Sequence, residues 1–278
     1  MKNNNDKLID IKKHWESMAI EKGVDLTATT KTSSIKKLEI NAICKEFMWI
    51  IERSLKVESV LEVGCGNGFN LRALNTKFPQ LKYTGVDFIP EMISSAKAAQ
   101  ISTKMPDIEY YVGDILNLDE NEHLREFYDI VFTDRCVINL PTQDLQMKGL
   151  QQLAKKISMG GYIILIENFV STYDLQNRCR ELIGLSPRIP DSYNKFLSDE
   201  TMQKFANSCQ LTLHSVKDFA SLHDLLLYVL LAKLNDGKPN YDHPLMDVVT
   251  DFSIAAYNHD INFEEMFGQN RLYLFEKL

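Results

Sequence analysis

Val60-Leu61-Glu62-Val63-Gly64-Cys65-Gly66-Asn67-Gly68 is the stretch from which the fold is read. It is a mostly apolar, strand-like run that ends in glycines at every second position, Gly64, Gly66 and Gly68, followed by a helical segment. Glycines there let the chain turn tightly and let a ligand approach the backbone with no Cβ in the way. The next strand-like run, Tyr83-Thr84-Gly85-Val86-Asp87, ends in an acid 19 residues after Gly68. An acid at that strand end can accept both hydroxyls of a ribose.

Working outward, the apolar runs 59–64, 83–87, 108–113, 129–134 and 162–167 alternate with helical stretches near 67–77, 90–100, 142–158 and 171–183. This alternation implies a parallel sheet covered on both faces. Residues 211–219 and 271–278 supply two more strands, with about fifty mostly helical residues between them. Upstream, residues 1–7 are polar and expected to be disordered, and 8–20 form an amphipathic helix through Leu8, Ile11, Trp15 and Met18. A Thr/Ser-rich loop follows over 23–34, with Ser34 as the expected cap of a helix over 35–55. The expected division is a helical lid over 1–55, a core over 56–218 and 270–278, and a helical insertion over 219–269.

Composition narrows the function classes. Of 278 residues 45% are hydrophobic and 25% charged, which describes a globular chain and not a disordered or fibrous one. The net charge of −7 argues against a nucleic-acid partner, whose phosphates need neutralising. The odd number of cysteines, five, and the lack of any C-x-x-C favour reduced thiols and a cytoplasmic setting. The longest apolar run, 225–234, is too short to span a bilayer, and no secretory leader is expected.

The spacing of the loop discriminates between ligands. Dinucleotide enzymes use G-x-G-x-x-G, whereas here the third glycine comes one residue early. Glu62, two residues before Gly64, would repel a pyrophosphate but suits the ammonium of an amino-acid moiety. The E-x-G-x-G-x-G pattern, with Asp87 beyond it, resembles the class I S-adenosylmethionine-dependent methyltransferases. That resemblance implies a Rossmann-like, seven-stranded, mostly parallel sheet and S-adenosylmethionine as cofactor. It places Glu62, Gly64, Cys65, Gly66, Asn67, Gly68 and Asp87 on the cofactor. It also places Asp114 at the adenine amino group with Ile115 on the ring, Phe88, Ile89 and Met92 on the other wall of the adenine slot, and Asp134 at the end of strand four.

Thr133-Asp134-Arg135-Cys136 lacks the Asp/Asn-Pro-Pro-aromatic motif of amino-methylating DNA enzymes and the Pro-Cys of cytosine C5 enzymes. His14-Trp15, the Thr-Thr-Lys-Thr loop, Arg135 to Leu140 and Tyr193-Asn194 look like a group of bacterial methyltransferases associated with surface-polysaccharide pathways. The implied acceptor is small and polar or anionic, with oxygen, nitrogen or carbon as the methylated atom. Candidate catalytic residues are His223, Glu167 and Tyr193. Candidate acceptor contacts are Trp15, Lys31, Arg135, Asn139, Asn168 and Asn194. A magnesium site on Asp134, Glu167 and Asn168, as in catechol-type enzymes, is a minor alternative, and no metal is assigned. A non-catalytic cofactor-binding subunit is another. The apolar helix over 224–234 serves either as core or as a homodimer surface.

Overall fold

The computed structural model describes residues 4–54, 56–103, 108–261 and 266–278. Helices α1 (Asn4–Lys22) and α2 (Ser33–Arg53) precede β1 (Ser59–Val63), α3 (Phe69–Lys77), β2 (Lys82–Asp87), α4 (Pro90–Thr103), β3 (Glu109–Val112) and β4 (Tyr128–Asp134). Then come α5 (Gln143–Lys156), β5 (Ile157–Asn168), α6 (Val170–Leu182), α7 (Asp199–Ser208) and β6 (Leu211–Asp218). The chain closes with α8 (Ser221–Leu225), a π-turn (Leu226–Leu230), α9 (Leu231–Leu234), α10 (Leu245–Asn258) and β7 (Asn270–Lys277).

The sheet order is β3-β2-β1-β4-β5-β7-β6. The first five strands run parallel, and β7 lies antiparallel between β5 and β6. Strand order reverses between β1 and β4, so the loops after these two strands open a crevice at their C-terminal ends, where α/β sheets bind ligands.

Strand alternation sends successive side chains to opposite faces and so fills two cores. Val60 joins Phe47, Phe132 and Ile164 beneath α2, while Leu61 joins Leu150, Val131 and Phe205 beneath α5 and α7. Phe47 and Ile43 are fully buried, as the i, i+4 stripe of α2 requires. Each such side chain contributes about 1.5–3 kcal/mol.

Several elements differ from expectation. Helix α1 begins at Asn4, so residues 4–7 are helical; the rest of the segment expected to be disordered lies outside the described residues. The cap of α2 is Thr32, whose hydroxyl accepts from the Ile35 amide, and not Ser34. Strand β5 starts at Ile157, five residues before the run 162–167 expected for it and inside the end of the stretch 142–158 expected to be helical. Helix α7 lies between the expected helix 171–183 and strand 211–219, where no element was expected; Ser198 caps it by accepting from the Thr201 amide, and Asp199 and Glu200 stand in its first turn. The apolar helix downstream is mostly internal: Leu227, Tyr228 and Leu231 pack with Met246, leaving Leu230 and Leu234 exposed. No helix among the described residues is long and apolar enough to cross a membrane.

Candidate active site

The glycine loop is shaped by its neighbours. Gly64, Gly66 and Gly68 all have positive φ, at 76°, 52° and 73°. A Cβ on Gly64 would lie 2.5 Å from Cys136 Sγ, and one on Gly66 would lie 2.5 Å from Thr29 Cγ2. The loop thus packs between the end of β4 and the N-terminal segment. Asn67 fastens that contact: its Nδ2 donates to the carbonyls of Gly23 (3.1 Å) and Asp25 (2.7 Å).

These parts wall a cavity of about 1000 Å³. Gly64, Gly66, Asp87, Phe88, Ile89, Met92, Asp114 and Ile115, all expected on the cofactor, line one end. Asp87 Oδ2 accepts from the Gly66 amide (2.8 Å) and Oδ1 from the Ile89 amide (2.9 Å). Burial nevertheless pushes its carboxyl up to about 6. Asp114 Oδ1 accepts from the Leu116 amide at 2.9 Å, and the residue stays exposed at the cavity mouth.

Glu62, Cys65, Asn67 and Gly68 do not line the cavity. Cys65 packs into the core, where burial raises its thiol well above the usual range. Gly68 begins α3, and Tyr110 stands against it. Glu62 belongs to a buried charge cluster behind the wall. Asn70 Nδ2 bridges Glu62 Oε1 (2.7 Å) and Asp134 Oδ2 (3.0 Å). Lys36 Nζ meets Asp134 Oδ2 at 2.5 Å and Glu39 Oε2 at 2.8 Å, while Arg135 Nε meets Glu39 Oε1 at 2.8 Å. Three buried acceptors of this cluster, Glu62 Oε2, Asn70 Oδ1 and Asp134 Oδ1, have no hydrogen-bond donor. Of the three residues only Asp134 lines the cavity, so its Oδ1 is the acceptor that fits the ammonium of the amino-acid end of S-adenosylmethionine, with Glu62 and Asn70 behind it. Arg135, in turn, has φ of 59°, rare for a side-chain-bearing residue, and Glu39 holds its head.

The acceptor candidates Trp15, Lys31, Arg135, Asn139, Asn168 and Asn194 all line the cavity, and Trp15 packs beside Phe88, Ile89 and Met92. Trp15 Nε1 donates to Asn139 Oδ1 (3.1 Å), and Asn139 Nδ2 to the Arg135 carbonyl (2.8 Å). Lys31 pairs with Asp191 at 3.0 Å. Asn168 bonds Asn270, which donates onward to Glu39. His14 stacks on Tyr193 at 4.0 Å, and burial lowers its pKa.

The three catalytic candidates separate. Glu167 does not reach the cavity. Its Oε1 accepts from Thr133 Oγ1 and the Cys136 and Val137 amides, and its Oε2 from the Ile138 amide, so it holds the turn after β4. Burial pushes its carboxyl to about 7 against those donors. This also removes it from a metal set with Asp134, whose own charge faces Lys36. Tyr193 lines the cavity, but its hydroxyl donates to Asp191 (3.1 Å) and its pKa is pushed up to about 12 by burial and that acid. It is therefore a neutral donor and not a base. His223 is at the wall and buried: Nδ1 faces Asp224 Oδ1 at 2.9 Å and Nε2 faces Ser34 Oγ at 3.1 Å. Ser34 Oγ lies 2.8 Å from Thr32 Oγ1, another wall residue.

Sequence reasoning missed Lys36, Ser34 as a partner of His223, and Arg188, a wall residue from the loop after α6. Lys36 reads as a polar helical position, and its partner Asp134 is 98 residues away. Arg188 sits in no motif.

A family model described as a methyltransferase domain matches residues 55–183. Over these residues the chain is similar to methyltransferase domains. Over 170 residues the chain is 27% identical to a malonyl-[acyl-carrier protein] O-methyltransferase of Ilyobacter polytropus, covering 61% of this chain and 59% of that one. Over 85 residues it is 32% identical to a trans-aconitate 2-methyltransferase of Escherichia coli, covering 31% and 30%. The matched region thus spans less than two thirds of these curated relatives. An S-adenosylmethionine-dependent methyltransferase from Clostridium acetobutylicum shares the fold, with a TM-score of 0.56 at 14% identity over 90% of this chain and 94% of that one. Within the matched region the glycine loop, Asp87 and Asp134 come from β1, β2 and β4, while α1, α2, the loop after α6 and the segment between β6 and β7 complete the cavity from outside residues 55–183.

Proposed function

We propose that the protein is an S-adenosylmethionine-dependent methyltransferase of a small polar acceptor, with oxygen as the methylated atom. One observation carries this reading: a single cavity of about 1000 Å³ runs from Asp87 and Asp114 to Trp15, Tyr193 and His223. Sites for one drug-sized ligand span roughly 300–1000 Å³, so this cavity suits a nucleoside cofactor together with a small acceptor.

When bound, S-adenosylmethionine supplies an electrophilic methyl group on a sulfonium. The protein's own work is orientation, exclusion of water and removal of a proton. Helix α1 and the 23–32 loop cover the cofactor end. Asp224 holds the Nδ1–H tautomer of His223, which leaves the Nε2 lone pair toward Ser34. Thr32 Oγ1, at the wall, takes the acceptor's proton and passes its own to Ser34 Oγ, which passes its own to that nitrogen. Tyr193 gives its one hydroxyl hydrogen to Asp191, so its oxygen accepts at the acceptor's edge.

Calorimetric titration with S-adenosylhomocysteine, with NAD and NADP as controls, tests the cofactor. Binding of S-adenosylhomocysteine alone supports the reading; selective binding of a nicotinamide cofactor refutes it. Transfer of labelled methyl to a panel of phosphorylated sugars and capsule intermediates, the acceptors suggested by the sequence resemblance, then searches for the substrate. With an acceptor in hand, His223→Ala lowers kcat by about 10²–10⁴-fold if His223 is the base. A mild effect would indicate an acceptor that needs no deprotonation.

A further inference from the structure

Five basic side chains face the cavity: Lys12, Lys22, Lys31, Arg135 and Arg188. Four have an acid beside them. Lys12 lies 3.9 Å from Glu16, Lys22 2.7 Å from Glu21, Lys31 3.0 Å from Asp191 and Arg135 2.8 Å from Glu39. Arg188 differs. Among the described residues its guanidinium pairs with no carboxylate; Gln176 Oε1 accepts from Nη1 at 2.7 Å and Gln269 Oε1 accepts from Nη2 at 2.9 Å.

The surroundings fix Arg188 without neutralising it. Tyr228 lies 3.5 Å from its guanidinium carbon and Tyr173 4.8 Å, so the plane is held between two rings. Its backbone is clasped by Asn177, which accepts from the Arg188 amide (2.8 Å) and donates to its carbonyl (3.1 Å). The two nearby acids are engaged elsewhere. Asp191 takes Lys31 and Tyr193, and Asp224 takes His223, Gln176 and the Gln269 amide. A second guanidinium, Arg180, adds positive charge nearby and, among the described residues, donates to the carbonyls of Ser186, Tyr228 and Gly237. Gln269 immediately precedes β7, and Gln176 lies on α6, so Arg188 stands at the opposite end of the sheet from Asp114.

We propose that Arg188 is the anion anchor of the acceptor site, and that the acceptor bears a carboxylate or phosphate distinct from the atom that is methylated. This rests on the methyltransferase reading for the word acceptor, but the anchor itself follows from the side chain's setting. A pre-oriented guanidinium with neutral partners keeps N–H groups free for an oxyanion, which it binds in a fork geometry that lysine cannot copy. Lys31 and Arg135, the cations the sequence suggests for this task, are already paired.

The test titrates succinate and inorganic phosphate, separately, into wild-type protein, Arg188→Gln and Arg188→Lys, each with and without saturating S-adenosylhomocysteine. The expected result is binding of one of the two anions to wild type, at least about tenfold weaker in Arg188→Gln and only partly restored in Arg188→Lys, with S-adenosylhomocysteine affinity unchanged. Preference for succinate assigns a carboxylate, and preference for phosphate assigns a phosphoryl group. Equal anion binding in wild type and Arg188→Gln, or none in wild type that binds S-adenosylhomocysteine, overturns the proposal. Failure of wild type to bind S-adenosylhomocysteine while the Arg188-dependent anion binding persists refutes the methyltransferase reading and leaves the anchor standing. The unchanged S-adenosylhomocysteine affinity and circular dichroism of the variants separate loss of the anchor from loss of the fold.

Discussion

Replacing Glu167 by Gln tests whether a buried carboxyl, and not a catalytic one, stands at the end of β5. The group moves from an ordinary value of 4.5 to about 7 because burial disfavours its charge more than its four hydrogen bonds favour it. The folded-state value lies above the unfolded one, so between pH 4.5 and 7 the folded protein keeps a proton the unfolded chain has released. Stability therefore falls as pH rises through that window. A shift of this size corresponds to about 3 kcal/mol across the window. Glu167→Gln removes the titration. Urea denaturation of both proteins at pH 5 and pH 8 should show the wild type losing about 3 kcal/mol relative to the variant between those values. The comparison cancels other groups, Asp87 among them. A difference in stability that does not change with pH would refute the placement of this carboxyl in a desolvated pocket.

Three further outcomes are expected. Asp87→Ala should weaken S-adenosylhomocysteine binding by about 1.5–3 kcal/mol, and wild-type affinity should decline below pH 6 as Asp87 gains its proton, a decline absent from the variant in parallel calorimetry. Lys36→Met leaves Asp134 and Glu39 buried without their shared cation and should cost about 3–5 kcal/mol in chemical denaturation; a loss under 1 kcal/mol would mean the cluster is neutral in the folded protein. Asn67→Ala removes two hydrogen bonds to the N-terminal segment and should speed amide exchange over α1 and residues 23–28, leaving β1 protected; exchange rates equal to wild type would show that the segment is held by other contacts.

The sheet and the cofactor end were legible because both depend on local signals. Apolar runs, a glycine turn and an acid at a strand end lie within one βαβ unit, and Gly64, Gly66 and Asp87 meet as their spacing implies. The acceptor end was legible only in part. Glu167 and Asn168 are neighbours at one strand end, but strand alternation turns Asn168 toward the cavity and Glu167 under the β4 turn. Lys36 and Asp134 meet across 98 residues, and no local pattern encodes such a pair. Arg188 depends on Gln176, Gln269, Tyr173 and Tyr228, from three separate segments. Helix α7 had a readable start in Ser198-Asp199-Glu200, yet its single turn of apolar contacts, Met202 and Phe205, gave too short a period to follow.

The contacts of residues 64–68 with the N-terminal segment bear on how a mutational scan of this loop would read. Losses of activity at adjacent positions would look alike but arise differently. At Gly64 a new side chain collides with Cys136; at Gly66 it pushes away Thr29; at Asn67 nothing collides, and a fastening to Gly23 and Asp25 is undone. Suppressors should differ accordingly. A smaller residue at 29 can relieve the collision at 66 and leaves only the backbone strain of a φ of 52°, whereas no change of volume can rescue a substitution at 67.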